Sequence, residues 1–491
     1  MTSLGEAIAP TGAAARRLDR VARGRGIVVT TGQQPGLFGG PLYTWSKAVS
    51  ALALADEIER VTGIPAAPVF WAANDDADFA EASWTAVAVP GGAERLSVEP
   101  GAPLGRPMSE MPLGDTSGAL ESLIRACGAT LDERPLAVIR EAYRPGTTVG
   151  AAYLHLLRQL LEPLGIAVLD ASHDAVSSAT RPFLARALEG AEGVASALRE
   201  RDDAIRAAGY TTQVEAMAGL TLVFERPGAG GEKRRIPLAD AMTAVSDSRG
   251  RILSPNVLLR PVIERAVLPT VSYVAGPGEI AYFAQATAVA AALGLPSPLA
   301  VPRWSTTIIE PHVARMLTQL GLAVEELADP HRAEGRLARM AIPTTLDDAV
   351  AELRRDLDRG ALLIGDAVVD ADLSLPAAAI EGARRSIRHR IDRLERRIVA
   401  AAKRKEADTM QRVATVRGAL YPLGIRQERA LNAIPFLARH GALVVKRMIA
   451  GATDHARSLV GADRDGGESR AEATEPRLGA ITVDSPRAAD A

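Results

Sequence analysis

The stretch VVTTGQQPGLFGGPLYTWSKAVSALALADEI, residues 28–58, decides the fold. An apolar, β-branched run from Ile27 to Thr31 predicts a buried strand. Small and amide residues then predict a turn, and the apolar spacing from Pro41 to Ile58 predicts a helix. A strand, turn and helix in this order bring backbone N–H groups and the positive end of a helix dipole to one spot, which suits a phosphate or a carboxylate. The turn is neither a GxGxxG fingerprint nor a Walker A loop, because Lys47 lies seven residues beyond Gly40 and no Gly-Lys-Ser/Thr is present there. Downstream, Ala67–Trp71 (APVFW) predicts a second strand, followed by the acidic turn NDDADFAEA. Strand, helix and strand within about 45 residues form a βαβ unit, which implies a parallel sheet.

Working outward, 491 residues are enough for two or three domains. A formal net charge of -2 gives no global field toward nucleic acid or anionic lipid, so partners must be recognised by local sites. The single cysteine, Cys127, excludes an intramolecular disulfide framework and a multi-cysteine zinc cage, and fits a reducing compartment. The N-terminus has no apolar core of signal-peptide type and no apolar run reaches the ~20 residues of a membrane span, so a cytoplasmic protein is expected.

Residues 90–140 are rich in Gly and Pro and read as an insertion. Helix is expected over 147–164, a short strand over Gly165–Asp170, and one helix over 174–208. Strand-like pieces at LTLVF and KRRIPL, inside 209–255, predict a small antiparallel insertion. The core returns at LPTVSYVAGPGEIAYFAQ and LPSPLAVPRWSTTIIE, giving a Rossmann-like α/β core over 1–343. From 344 to 461 the chain is helical. Leu346, Val350, Leu353 and Leu357, then Ile380, Ile387, Ile391, Leu394 and Ile398, step at coiled-coil intervals on heavily charged helices. One helix from Pro376 to Ala419 would span ~65 Å at about 1.5 Å per residue. It is expected to pair as an antiparallel coiled coil or a dimer contact, with a long surface helix as the alternative. The charged, Gly- and Pro-punctuated segment 462–491 is expected to be disordered.

Five blocks, in order, carry a resemblance: TGQQPGLFGGPLYTWSK, FWAANDDADFAE, LLRPVIERAVLPTVSYVAGPGEIAYFAQ, VPRWSTTIIE and LYPLGIRQERALN. Together they resemble the BshC family of bacillithiol biosynthesis, to which a cysteine ligase activity is ascribed. The resemblance runs from about residue 27 to residue 450. It implies a Rossmann-like core similar to the nucleotidyltransferase domain of class I aminoacyl-tRNA synthetases, with connecting insertions and a helical coiled coil that makes a homodimer. It also implies an amide-forming reaction between the carboxyl of cysteine and the amine of glucosaminyl malate. Activation by ATP or another adenine nucleotide, as an acyl-adenylate with Mg²⁺, is the natural expectation for that core.

The resemblance places the candidate site. Gly32, Gln33, Gln34, Gly39, Gly40 and Tyr43 surround the first turn, where class I relatives hold nucleotide phosphates with an HIGH motif that is absent here. Lys47, one helical turn further, is expected to face an anion. Relatives in this family carry a pattern of the type EDHDF after the second strand. This chain has Asp75, Asp76, Ala77, Asp78 and Phe79, so the histidine is missing and Asp76 or water would take its place. Carboxylates at a strand end can orient an amine, accept its proton or hold a metal; capping of the next helix is the alternative. Near the second core return, Tyr273, Gly276, Gly278, Glu279, Tyr282 and Gln285 are candidates for ribose and backbone contacts. Arg260, Arg303 and Ser305 are candidates for carboxylate or phosphate contacts, with internal ion pairs as the alternative for the arginines. Tyr421, Gln427, Glu428, Arg429 and Asn432 either form a second ligand site or lock the coil onto the core. The seven histidines show no metal spacing, so no zinc is expected. A non-catalytic nucleotide- or thiol-binding dimer of the same fold is the alternative to the ligase. A relative charging another acceptor is disfavoured by the lack of a basic RNA-binding surface.

Overall fold

A computed structural model describes residues 4–215, 217–226, 231–247, 251–297, 299–461 and 479–482. The chain divides into two compact units, one of residues 1–87, 94–309 and 427–491, the other of 88–93 and 310–426.

The first unit is built on a five-stranded sheet. Its strands are β1 (Ile27–Gln33), β2 (Ala66–Ala72), β3 (Ala167–Asp170), β4 (Thr270–Ala275) and β5 (Leu299–Pro302), in the order β5-β4-β1-β2-β3. Every neighbouring pair is parallel, as the βαβ reading of 27–71 predicts. Parallel strands must be covered on both faces, which explains why β2 is buried at every position. On one face Val28, Ala67, Val69, Trp71 and Leu169 pack with Leu18 and Val21 of the Gly12–Arg23 helix. The Tyr43–Thr62 helix connects β1 to β2 and packs on both. The Ile434–Gly461 helix lies over it in turn, so the Tyr43–Thr62 helix is buried at every position from Thr44 to Ala55. Small residues set this packing: a Cβ on Gly451 would lie 2.4 Å from the Trp304 ring.

The 209–255 insertion is a three-stranded antiparallel sheet of Leu220–Arg226, Arg234–Pro237 and Ile252–Pro255. The 90–140 segment carries more regular structure than its composition suggests: the strand Gly92–Ser97 and helices Ser117–Cys127 and Arg134–Ala142. The helix expected over 174–208 is two helices, Asp174–Glu189 and Ala191–Ala207, divided at Gly190. Gly479–Thr482, inside the segment expected to be disordered, is a strand paired in parallel with Thr306–Ile309. Residues 462–478 and 483–491 lie outside the described residues.

The second unit is helical from Pro311 to Leu420. Thr344–Asp370 and Ala377–Lys405 pack antiparallel, and Arg354 pairs with Asp392 and Glu395, both at 2.7 Å, while Asp358 pairs with Arg388 at 2.7 Å. The helix expected to run unbroken from Pro376 to Ala419 stops at Lys405, and a second begins at Ala407. The break at Glu406 lets Val413 and Val416 become buried where Ala407–Leu420 packs on the Pro311–Leu320 helix. The helical boundaries also differ from 344–461: this unit begins at Glu310, and Ile434–Gly461 belongs to the first unit, where it packs on Tyr43–Thr62. No helix among the described residues is long and apolar enough to cross a membrane.

Candidate functional site

The strand order reverses direction between β1 and β4: the chain passes from β1 outward to β2 and β3, and returns on the other side as β4 and β5. A parallel sheet opens a crevice outside the carboxyl ends of the strands at such a point. A cavity of about 740 Å³ occupies this place in the first unit. The ends of β1 and β2, the first turn of the Pro277–Ala292 helix and the insertion sheet all contribute to it.

Of the residues expected from the sequence, the cavity gathers Gly32, Gln33, Gln34, Tyr43, Lys47, Asp75, Asp76, Arg260, Gly276, Gly278, Glu279, Tyr282, Arg303 and Arg429. Tyr43 and Lys47 are four residues apart and share a helix face. Lys47 does not present a free charge. Its Nζ lies 2.6 Å from Glu279 Oε2 and donates to the Gly32 carbonyl at 2.6 Å and Gln33 Oε1 at 3.1 Å. Burial pulls the Lys47 pKa down against the pull of Glu279. Burial works to raise Glu279, but Lys47, the Gly276 N–H at 2.7 Å and the Tyr273 hydroxyl at 3.0 Å outweigh it and hold the carboxyl below its ordinary range. Glu279 therefore caps its own helix and neutralises Lys47, and Tyr273 supports it from outside the cavity wall. The expectation of a lysine facing a ligand anion is corrected to one facing a carboxylate of the chain.

The glycines behave differently from the expectation. Gly39 and Gly40 have φ of 89° and 77°, a left-handed region that favours glycine, and a Cβ on Gly39 would meet Leu156 at 2.9 Å. They are buried away from the cavity. Asn432 Nδ2 holds this turn by donating to the carbonyls of Leu37, Phe38 and Gly40 at 3.3, 3.0 and 3.2 Å. Of the first-turn glycines Gly32 lines the cavity, and it must be glycine because a Cβ there would lie 2.9 Å from the Trp71 carbonyl of the neighbouring strand.

The acidic turn divides its roles. Asp78 caps the short Phe79–Ala82 helix, its Oδ1 accepting from the Glu81 N–H at 3.2 Å, and lies off the cavity. Asp76 accepts from Gln34 Nε2 at 2.6 Å and from the Asp78 N–H at 3.0 Å. Burial raises the Asp75 carboxyl, opposed by Lys233, whose Nζ lies 3.9 Å from Asp75 Oδ2. Ala77 lines the cavity where the related pattern has histidine.

The last two blocks are used inside the protein. Arg303 makes a bidentate pair with Glu428, both bonds 2.6 Å, and also donates to Ser305 Oγ at 3.1 Å. The carboxylate it clamps is thus the chain's own. Gln427 reads both backbone groups of Ile308, at 2.8 and 2.9 Å. Gln285 is buried off the cavity, bonded to Asp202 at 2.8 Å and to both backbone groups of Val214 at 2.8 and 3.2 Å. Gln427, Glu428 and Asn432 hold the core together, and Tyr421 belongs to the second unit. Of that set only Arg429 reaches the cavity.

Sequence reasoning missed Glu81, Gln213, Phe224, Lys233, Arg235 and Asn256, which also line the cavity. Burial and the neighbouring carboxylates Asp78 and Asp76 raise Glu81, which lies 3.5 Å from the Tyr43 hydroxyl. The alternation in KRRIPL was the available signal: it puts Lys233 and Arg235 on one face of a strand. The lone Cys127 is buried elsewhere, and burial pushes its thiol up to about 11.

Comparison with known proteins also gives two domains in this order, the second of them running on through residues 427–457, which pack in the first unit. Residues 2–226 and 237–304 match the family model of the bacillithiol biosynthesis BshC N-terminal Rossmann-like domain, and 306–457 match that of its C-terminal coiled-coil domain. A protein of Koribacter versatilis named "Putative cysteine ligase BshC" is 32% identical over 91% of this chain and 85% of its own length. Proteins of the same name from Solibacter usitatus (32%, covering 86% and 82%) and Salinibacter ruber (31%, covering 84% and 78%) are similar too. With both domains matched in order along its length, the chain belongs to the BshC family of bacillithiol biosynthesis.

Proposed function

We propose that this chain joins the carboxyl of cysteine to the amine of glucosaminyl malate, the last step of bacillithiol formation, in the cytoplasm and as a homodimer through its helical unit. The observation that carries this reading is the cavity itself. At the switch point an acidic turn able to receive an amine lies beside basic side chains and a helix N-terminus able to receive anions.

Asp75, whose carboxyl is raised by burial, takes the proton that the amine must lose. Asp76, fixed by Gln34 and the Asp78 N–H, orients the ammonium before it is deprotonated. The Lys47–Glu279 pair keeps that part of the wall neutral, so it neither repels nor competes for a carboxylate. In this reading an adenine nucleotide is received beside the turn Gly276–Glu279 by Arg429, a cavity residue with no carboxylate partner among the described residues. When bound it supplies the leaving group that makes condensation of a carboxylate with an amine favourable. No cluster of three or more His, Cys, Asp or Glu among the described residues is placed to hold a metal, so Mg²⁺ enters this reading only with the nucleotide.

The test is a deletion strain. Loss of the gene should cause glucosaminyl malate to accumulate and the cysteinyl thiol to disappear, and a plasmid copy should reverse both. Asp75→Asn should fail to restore the thiol. Normal thiol levels in the deletion strain would refute the ligase reading, and full rescue by Asp75→Asn would refute the role of that carboxylate.

A further inference from the structure

The insertion sheet brings to the cavity a group of hydrogen-bond donors that the protein itself leaves unused. Arg235 lines the cavity with its guanidinium 5.3 Å from the centre of the Phe224 ring, and no carboxylate among the described residues pairs with it. Burial pushes its pKa down, as for a cation removed from water without a counter-charge. Asn256 lines the same cavity and is 4% exposed, yet its Nδ2 has no hydrogen-bond partner among the described residues. Its Oδ1 is occupied, accepting from the N–H groups of Leu258 and Leu259 at 3.2 and 3.0 Å, so the amide orientation is fixed and the donor stays orphaned. Lys233 lies on the other side of Arg235 along the strand, 5.0 Å from the same Phe224 ring and bonded to the Asp75 carbonyl at 3.2 Å. A buried donor without an acceptor loses its hydrogen bond to water and gains none in return. Such a cost is retained where a ligand supplies the acceptor.

We infer that Arg235 and Asn256, on the Phe224 platform beside Lys233, form an anion subsite that takes the oxygens of a substrate carboxylate or phosphate. The group sits beside Asp75, so a molecule with an amine and a carboxylate can satisfy both at once. The subsite deepens the proposed ligase reading and rests on it only for which substrate carries the anion. Under that reading the amine-bearing acceptor contributes carboxylates here and the nucleotide contributes phosphates elsewhere.

The experiment is calorimetric titration of the full chain with L-malate as a simple dicarboxylate and, separately, with ATP. Asn256→Asp keeps the oxygen that accepts from Leu258 and Leu259 but replaces the donor with a negative charge. Arg235→Gln removes the charge, and Arg235→Lys restores it. Both Asn256→Asp and Arg235→Gln should weaken L-malate at least tenfold, Arg235→Lys should recover most of that loss, and ATP affinity should stay within twofold. Loss of ATP affinity with L-malate unchanged would assign the same subsite to phosphate. Wild-type affinities for both ligands in folded Asn256→Asp and Arg235→Gln, or no binding of either ligand to the wild type, would overturn the inference. A protein that binds L-malate through these residues yet forms no cysteinyl product would keep the subsite and refute the ligase reading.

Discussion

The pair formed by Arg303 and Glu428 decides whether the last sequence block serves ligand binding or the core, and it gives a measurable free energy. Their side chains are 4% and 3% exposed and meet through two bonds of 2.6 Å. Glu428→Ala would leave the guanidinium buried with only the Trp304 carbonyl at 3.2 Å and Ser305 Oγ at 3.1 Å as acceptors. Breaking a buried pair by removing one partner costs about 3–5 kcal/mol. The two remaining acceptors place this case near the lower end, about 3 kcal/mol. Glu428→Gln keeps the shape and one acceptor, and should lose about 1.5–3 kcal/mol, the value of a hydrogen bond to a charged group. Urea unfolding followed by tryptophan fluorescence is the assay. All four tryptophans, Trp45, Trp71, Trp84 and Trp304, lie in the first unit, so the signal follows that unit. The midpoint should fall with the slope unchanged. The double variant Arg303→Met with Glu428→Leu should lose less than the two single changes added together. A loss below about 1 kcal/mol for Glu428→Ala, or strict additivity in the double variant, would refute the lock and return Arg303 to the role of a ligand clamp.

Three further outcomes are expected. Glu264 is 2% exposed and burial raises its carboxyl to about 7, so it contributes stability below its ordinary value of 4.5 that is lost as pH rises to about 7. Over that window the loss is on the order of 3 kcal/mol, and Glu264→Gln should flatten the stability profile between pH 4.5 and 7; an unchanged slope would show that another group titrates. Asp78→Asn should preserve the cap on Phe79–Ala82 whereas Asp78→Ala costs about 1 kcal/mol, with malate and ATP titrations unaffected by either; a loss of binding in Asp78→Asn would return the residue to the site. At the tip of the helical unit Leu362, Leu363, Val369 and Leu373 are each more than 60% exposed. Changing the four to Ser should shift light-scattering mass from dimer toward monomer at micromolar concentration, and an unchanged mass would place any dimer contact elsewhere.

Much of the site's location was legible because it depends on local pattern. Apolar β-branched runs followed by turns at Gly32, Asp75 and Gly276 mark strand ends, and parallel strands put all such ends on one edge. The roles of the charged residues were not legible. Lys47, Arg303 and Asn432 have the composition of ligand-binding groups, yet their partners Glu279, Glu428 and the Leu37–Gly40 carbonyls lie 232, 125 and about 392 positions away in the chain. No spacing rule links residues so far apart, because what unites them is burial: a charge or amide removed from water must find a partner, and the fold decides which one.

The sequence by itself determined the parallel sheet, the antiparallel insertion, the long charged helices and the family, while leaving open whether those helices pair antiparallel, make a dimer contact or lie along the surface. These follow from periodicities of two and 3.6 and from ordered blocks. Only the tertiary structure decided that Gly39 and Gly40 build a turn while Gly32 reaches the cavity, and that Asp78 caps a helix while Asp75 remains available. It alone brought Arg235 and the orphaned amide of Asn256 to the same cavity as Asp75, because that meeting depends on how an inserted sheet packs against the carboxyl edge of the core.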